Sequence, residues 1–245
     1  MIATKFAPGL LAAAAFLAAA TPAFAQAPSP SMSKFFVSVD AGAQFATRTL
    51  DMAASQTTYE ETATLNASFP VDKGIVPGFA VGYRVFGDVF VGVGVTMFSK
   101  SADTAYTATV PDPLFFSRFK TVTGAATGVE HKERAILPTI SYARALSDKF
   151  DLVAGVGPAL ITLTQGTVSS FSVTAGTQNV TVTPVSQKKS ATGIHGSLGL
   201  NYNLNERLAL GGFARFAGAK VQLDGFQDKE NVGGMQAGLG LRVNF

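Results

Sequence analysis

Counted back from the C-terminus, every second residue of this chain is apolar: Phe245, Val243, Leu241, Leu239, Ala237 and Met235. The residues between them, Asn244, Arg242, Gly240, Gly238, Gln236 and Gly234, are polar or small. A period of two held over such a stretch describes a β-strand with one greasy and one wet face. The chain stops on an aromatic residue at the foot of the greasy face.

The same code recurs upstream. From Lys34 the odd residues Phe35, Val37, Val39, Ala41, Ala43 and Phe45 are apolar, and Ser38, Asp40, Gly42 and Gln44 alternate with them. Ile75, Pro77, Phe79, Val81, Tyr83 and Val85 oppose Gly78, Ala80, Gly82 and Arg84. After Gly87-Asp88 the pattern resumes, with Val89, Val91, Val93, Val95 and Met97 opposing Gly92, Gly94, Thr96 and Lys100. Two such runs around a two-residue turn predict a hairpin. Further strands are predicted from Glu133 (with Ile136, Pro138, Ile140 and Tyr142 outward), over 150–160, over 194–204, over 208–217 and over the last fourteen residues.

The eight strands are joined alternately by short turns (Gly87-Asp88, Ser147-Asp148, Asn205-Glu206) and long connections. Thr49–Gly74 reads as a polar outer loop, Ser101–Lys132 as the longest loop, and Thr164–Ser190 as an extended hairpin standing in water, which leaves open a further strand pair. A soluble sandwich would not line one face with Leu, Val and Phe and the other with glycine. Small inward residues suit an eight-stranded barrel, whose interior is just wide enough for side chains. Pro77, Pro138 and Pro158 lack a ladder donor and are expected toward the extracellular strand ends. Tyr83, Tyr142, Phe150 and Tyr202 are placed for an aromatic girdle near the short turns.

Residues 1–25 carry one cation, Lys5, then an apolar run from Leu10 to Ala20 and a small-x-small site at Ala23-Phe24-Ala25. This is the pattern of a signal peptide, with Gln26 as the mature N-terminus. Residues 26–33 form a polar lead-in and 34–245 the barrel. No later apolar run reaches the roughly 18 residues of a spanning helix. The mean hydropathy of +0.27 is nevertheless high, and a membrane barrel accounts for it by spreading its lipid-facing surface over alternate positions. Lys and Arg number 19 against 16 Asp and Glu, a balance that carries no nucleic-acid signal. Without cysteine there is neither a disulfide framework nor a thiolate site.

The C-terminal strand resembles that of bacterial outer-membrane β-barrels, and the whole chain resembles small outer-membrane proteins of the opacity/surface-antigen type. The resemblance implies an all-β, eight-stranded antiparallel up-and-down transmembrane barrel in the bacterial outer membrane, with short periplasmic turns and long extracellular loops. It implies that Phe245, Val243, Leu241 and Leu239 are read by the barrel-assembly machinery after delivery by periplasmic chaperones. Outer-membrane lipids and lipopolysaccharide are the expected surroundings, and a host or surface ligand is the expected partner of the loops. The role it implies is that of a non-enzymatic surface, envelope or adhesion-type protein; the alternative is a small porin-like channel.

His195-x-Ser197 is similar to the His-x-Ser of outer-membrane lipid A deacylases, but the nearest downstream acid is Glu206, in a turn. A triad needs a carboxylate to orient its histidine, so His195 is expected as a hydrogen-bonded lumen residue. His131 falls in a predicted loop without metal-ligand spacing, and no metal or cofactor is expected. Counting height along tilted strands puts Asp40, Arg215, Gln236 and His195 at one level of the lumen. Asp40 and Arg215 are expected to pair across the last strand, with Gln236 and His195 bonded to them, because charge in a narrow lumen must be compensated. Arg84, Asp151 and Arg242 are expected at the periplasmic end. The segment Leu114-Phe115-Phe116-Ser117-Arg118-Phe119-Lys120 reads two ways, as a contact surface or as a loop folded back onto the barrel mouth.

Overall fold

The computed structural model describes residues 33–174, 179–226 and 228–245; the expected signal peptide and all but the end of the lead-in lie outside them. Among the described residues ten strands form: β1 (Phe35–Gln44), β2 (Arg48–Thr58), β3 (Glu61–Val71), β4 (Gly74–Phe86), β5 (Val89–Pro111), β6 (Phe119–Ala145), β7 (Phe150–Thr174), β8 (Asn179–Asn203), β9 (Leu208–Val221) and β10 (Glu230–Asn244). Eight of them close an antiparallel ring in the order β1-β4-β5-β6-β7-β8-β9-β10, sealed by β1 pairing with β10 from Phe36–Asn244 to Gln44–Gln236. Closure leaves this ring without a free edge, as hydrocarbon requires.

The predicted facing holds around the lower barrel. Val39, Ile75, Phe79, Val93, Met97, Ile140, Val156, Leu198, Leu210 and Leu239 are exposed, while Phe90, Asp151, Ala209 and Gln236 are buried in the lumen. Tyr83, Tyr142, Phe150 and Tyr202 stand outward near the periplasmic turns, with the last two rings 5.2 Å apart.

Two expectations fail above the membrane, and a third holds. Thr49–Gly74 is not a loop: β2 and β3 make a hairpin, and β3 adds to β5 from Thr64–Thr109 to Ser68–Ala105, above the point where β4 leaves it. Nor is Ser101–Lys132 a loop, since β5 and β6 stay paired up to Pro111–Phe119 and only 112–118 turn. The Thr164–Ser190 region is the extended hairpin expected, formed by β7 and β8 running on as a pair with one register shift between Val168 and Ser170 and no further strand pair among the described residues. The reason is a change of solvent. Above the lipid, water wets the outside of the wall and the apolar residues must turn inward. Leu50, Met52, Leu65, Phe69, Val71, Val110, Ile161, Leu163, Leu223 and Phe226 fill one buried core inside the extracellular strands. Each such side chain contributes about 1.5–3 kcal/mol.

The prolines are also placed differently. Because the strands run on, Pro138 and Pro158 lie within β6 and β7 and not near their ends. Pro77 marks where β4 parts from β5, whose shared ladder starts at Gly78–Thr96.

Candidate functional site: lumen and extracellular tip

Charged and aromatic side chains meet in the lower lumen at two levels. Near the periplasm, the Phe36 and Phe90 rings lie 5.9 Å apart edge to face. The Arg242 guanidinium stands 3.9 Å from the Phe36 ring centre, and that of Arg84 5.4 Å from Phe90. Asp151 supplies the counter-charge to Arg242 and accepts a hydrogen bond from Asn203 Nδ2 at 2.8 Å. A guanidinium over an aromatic face gains electrostatic attraction while its stem stays in apolar surroundings.

Higher up, β1, β9 and β10 bring together Asp40, Arg215 and Gln236. Arg215 Nη2 donates to Asp40 Oδ1 at 3.4 Å and Nε to Gln236 Oε1 at 3.0 Å, and Gln236 Nε2 donates to Gln44 Oε1 at 3.1 Å. Arg215 also lies 5.0 Å from the Phe213 ring. The pair crosses β10, which separates β1 from β9 in the ring. Gly78 gives Asp40 its room, for a Cβ there would collide with the carboxylate. Between the two levels lies a cavity of about 190 Å³, lined by Phe36, Ser38, Asp40, Thr139, Phe213 and Arg215 among others.

His195 is not bonded to the pair. Its Nδ1 donates to the Pro158 carbonyl at 3.0 Å and its Nε2 lies 3.0 Å from the Thr139 hydroxyl. The ring crosses Gly157, where a Cβ would come within 2.9 Å of it. Among the described residues no hydrogen bond joins His195 to Ser197.

Pattern reading misses a second ion-pair cluster, above the first. Glu133 of β6 pairs with Arg48 of β2 and accepts from His131 Nε2 at 2.8 Å and from the Gly233 amide of β10 at 2.9 Å. His131 Nδ1 lies 2.5 Å from Gln165 Oε1 of β7. His131 is therefore a buried strand residue and not part of a loop. The alternation His131, Glu133, Ala135 is the available signal; the partners come from strands that local patterning does not connect. Among the described residues no cluster of metal-ligating side chains occurs. On the extracellular side, burial raises the Glu230 carboxyl, opposed by the charge of Arg48 and reinforced by Asp51 and Asp228.

Leu239, Leu241, Val243 and Phe245, the residues expected to serve as an assembly signal, line one outward face, with the Phe245 ring 5.8 Å from Phe35. At the opposite pole the aromatic segment does not fold back. Leu114, Phe115, Phe116 and Phe119 are exposed by 82%, 55%, 78% and 49% at the tip of the β5–β6 hairpin.

Three solved structures of similar architecture are neisserial surface protein A (16% identity, 86% of this chain and 97% of that chain, TM-score 0.46), Ail, the attachment invasion locus protein of Yersinia pestis (10%, 86% and 99%, TM-score 0.42), and OprG from Pseudomonas aeruginosa (12%, 88% and 98%, TM-score 0.45). No curated protein matches the sequence. The outer membrane protein beta-barrel domain family matches over residues 11–245, and the chain belongs to that family as a bacterial outer-membrane protein.

Proposed function

We propose that this protein is a non-enzymatic surface protein, in which the membrane barrel is an anchor and the extracellular body is the working part. The observation that carries this reading is the filling of the lumen. The Arg242 layer and the Asp40–Arg215 pair lie one above the other, and over them a buried core runs from Val76 and Phe98 up to Leu223 and Phe226. An open pore would need hydrated space at these levels. The commitment of both His195 nitrogens to Pro158 and Thr139 supports a structural histidine over a catalytic one.

The test is the conductance of refolded protein in a planar bilayer, paired with binding of expressing cells to a host-cell or abiotic surface. Silent bilayers and adhesion that depends on the 112–118 turn are the expected results. Steady ion current would replace this reading with that of a passive channel.

A further inference from the structure

Resting on that reading, the geometry of the β5–β6 tip points to its partner: we infer that Leu114, Phe115, Phe116 and Phe119 form a wedge that inserts into the interface of a phospholipid bilayer facing the cell. Four large apolar side chains exposed together on a turn are unusual for a surface in water. Their backbone is fixed before any partner arrives. The Asp112 amide donates to the Arg118 carbonyl at 2.7 Å, the Leu114 amide to Asp112 Oδ1 at 2.9 Å, and the Ser117 amide to Glu61 Oε1 of the neighbouring hairpin at 2.8 Å. Ser117 adopts a φ of 61°, which turns the chain back so that the rings project outward. A preformed tip loses little conformational freedom on insertion.

Charge is sorted in the same sense. Asp112 and Glu61 are spent on backbone amides, whereas Arg118 lies 67% exposed against 22% for its partner Asp112, 3.8 Å away. Arg118 also stands 5.4 Å from the Phe115 ring, and exposed Lys120 lies beside it in the chain. On the adjoining turn Glu60 is the one exposed acid among the described residues. Rings flanked by outward cations are the composition that settles at a bilayer interface and favours anionic headgroups.

Two features select this occupant. The tip is a narrow convex turn, which a fluid interface can envelop; a protein interface needs about 800 Å² on each partner. Its height excludes the protein's own membrane. From Met97, the last lipid-facing residue of β5, to Pro111 the wall climbs roughly 35 Å, at about 2.5 Å per residue of tilted strand.

The experiment uses the full chain in lipid nanodiscs, mixed with protein-free vesicles of phosphatidylcholine and phosphatidylglycerol and floated on a density gradient. The wild type is expected to float with the vesicles. Leu114→Ser with Phe116→Ser should weaken this by roughly tenfold for each side chain removed, while heat-modifiable gel migration reports an intact barrel. Arg118→Glu is a second variant that leaves the rings in place, and it should weaken flotation with anionic vesicles more than with neutral ones. A wild type that stays unbound, or a double variant that floats equally well, overturns the inference. Tip-dependent adhesion to cells without flotation would leave the surface-protein reading standing and make the partner a protein or glycan.

Discussion

Pro138 stands directly opposite Pro158 across the β6–β7 seam, between the paired rungs Ile136–Leu160 and Ile140–Val156. Neither has a backbone N–H, and the β6–β7 pairing is interrupted over the three register positions between those rungs. Placing the two prolines on one rung confines the defect to a single break, and His195 covers that break from the lumen side by donating to the Pro158 carbonyl.

It follows that His195→Ala leaves that carbonyl unpaired in a dry wall. The expected loss is about 1–3 kcal/mol, measured by urea unfolding in lipid vesicles, with faster hydrogen exchange in β6 and β7. Ser197→Ala should change neither quantity. An unaltered midpoint for His195→Ala would mean that the seam needs no patch.

The Asp40–Arg215 pair is buried on both sides, at 13% and 11% side-chain exposure. Arg215→Ala should cost about 3–5 kcal/mol, because it strands the carboxylate of Asp40. Asp40→Ala together with Arg215→Ala should recover part of that loss, so the coupling in the double-mutant cycle is the quantity to measure. Additive losses would show that the two charges do not depend on each other.

This pair is legible in the amino-acid sequence because barrel geometry is regular: parity gives the side and residue count gives the height. His195 shares the parity and height of the pair, yet it turns to the proline seam. That turn depends on Pro138 and Pro158 meeting on one rung, a matter of strand register that neither segment reveals alone. The extracellular half escapes pattern reading for a different reason. In β2, Leu50, Met52 and Ala54 alternate with Thr49, Asp51 and Ser55, but there the apolar set faces inward. With no lipid-facing side to enrich, such strands carry the weak, polar signature of loops. The tip stays ambiguous in sequence because exposure of Phe115 and Phe116 rests on the turn set by Asp112, Ser117 and Glu61.

Glu133 joins β6 to β2, through Arg48, and to β10, through the Gly233 amide. Glu133→Ala removes the acceptor for three groups at the base of the extracellular body, and a loss of about 3–5 kcal/mol is expected. The effect should be regional, since the β2–β3 hairpin meets the ring mainly along β5. Limited proteolysis should cut between Arg48 and Lys73 before the lower barrel shows any loss of heat-modifiable migration. Uniform unfolding of both halves would show that the cluster supports the whole barrel.

The β1–β10 seam ends in a rung between Phe35 and Phe245. Phe245 exchanges backbone hydrogen bonds with Phe35, its amide donating at 2.8 Å and its carbonyl accepting at 3.3 Å, and the two rings meet at 5.8 Å. The terminal residue therefore closes the β1–β10 seam at its periplasmic end, besides presenting a 68% exposed ring at the foot of the lipid-facing stripe. Deleting Phe245 removes both features, whereas Phe245→Ala keeps the backbone rung and loses only the ring. If the ring is what the assembly machinery reads, both variants should accumulate as periplasmic aggregate or be degraded, and both should refold in detergent, the deletion with a slightly weakened seam. If the rung is what matters, Phe245→Ala should reach the outer membrane at wild-type levels while the deletion fails. Normal outer-membrane levels for both variants would remove Phe245 from assembly altogether.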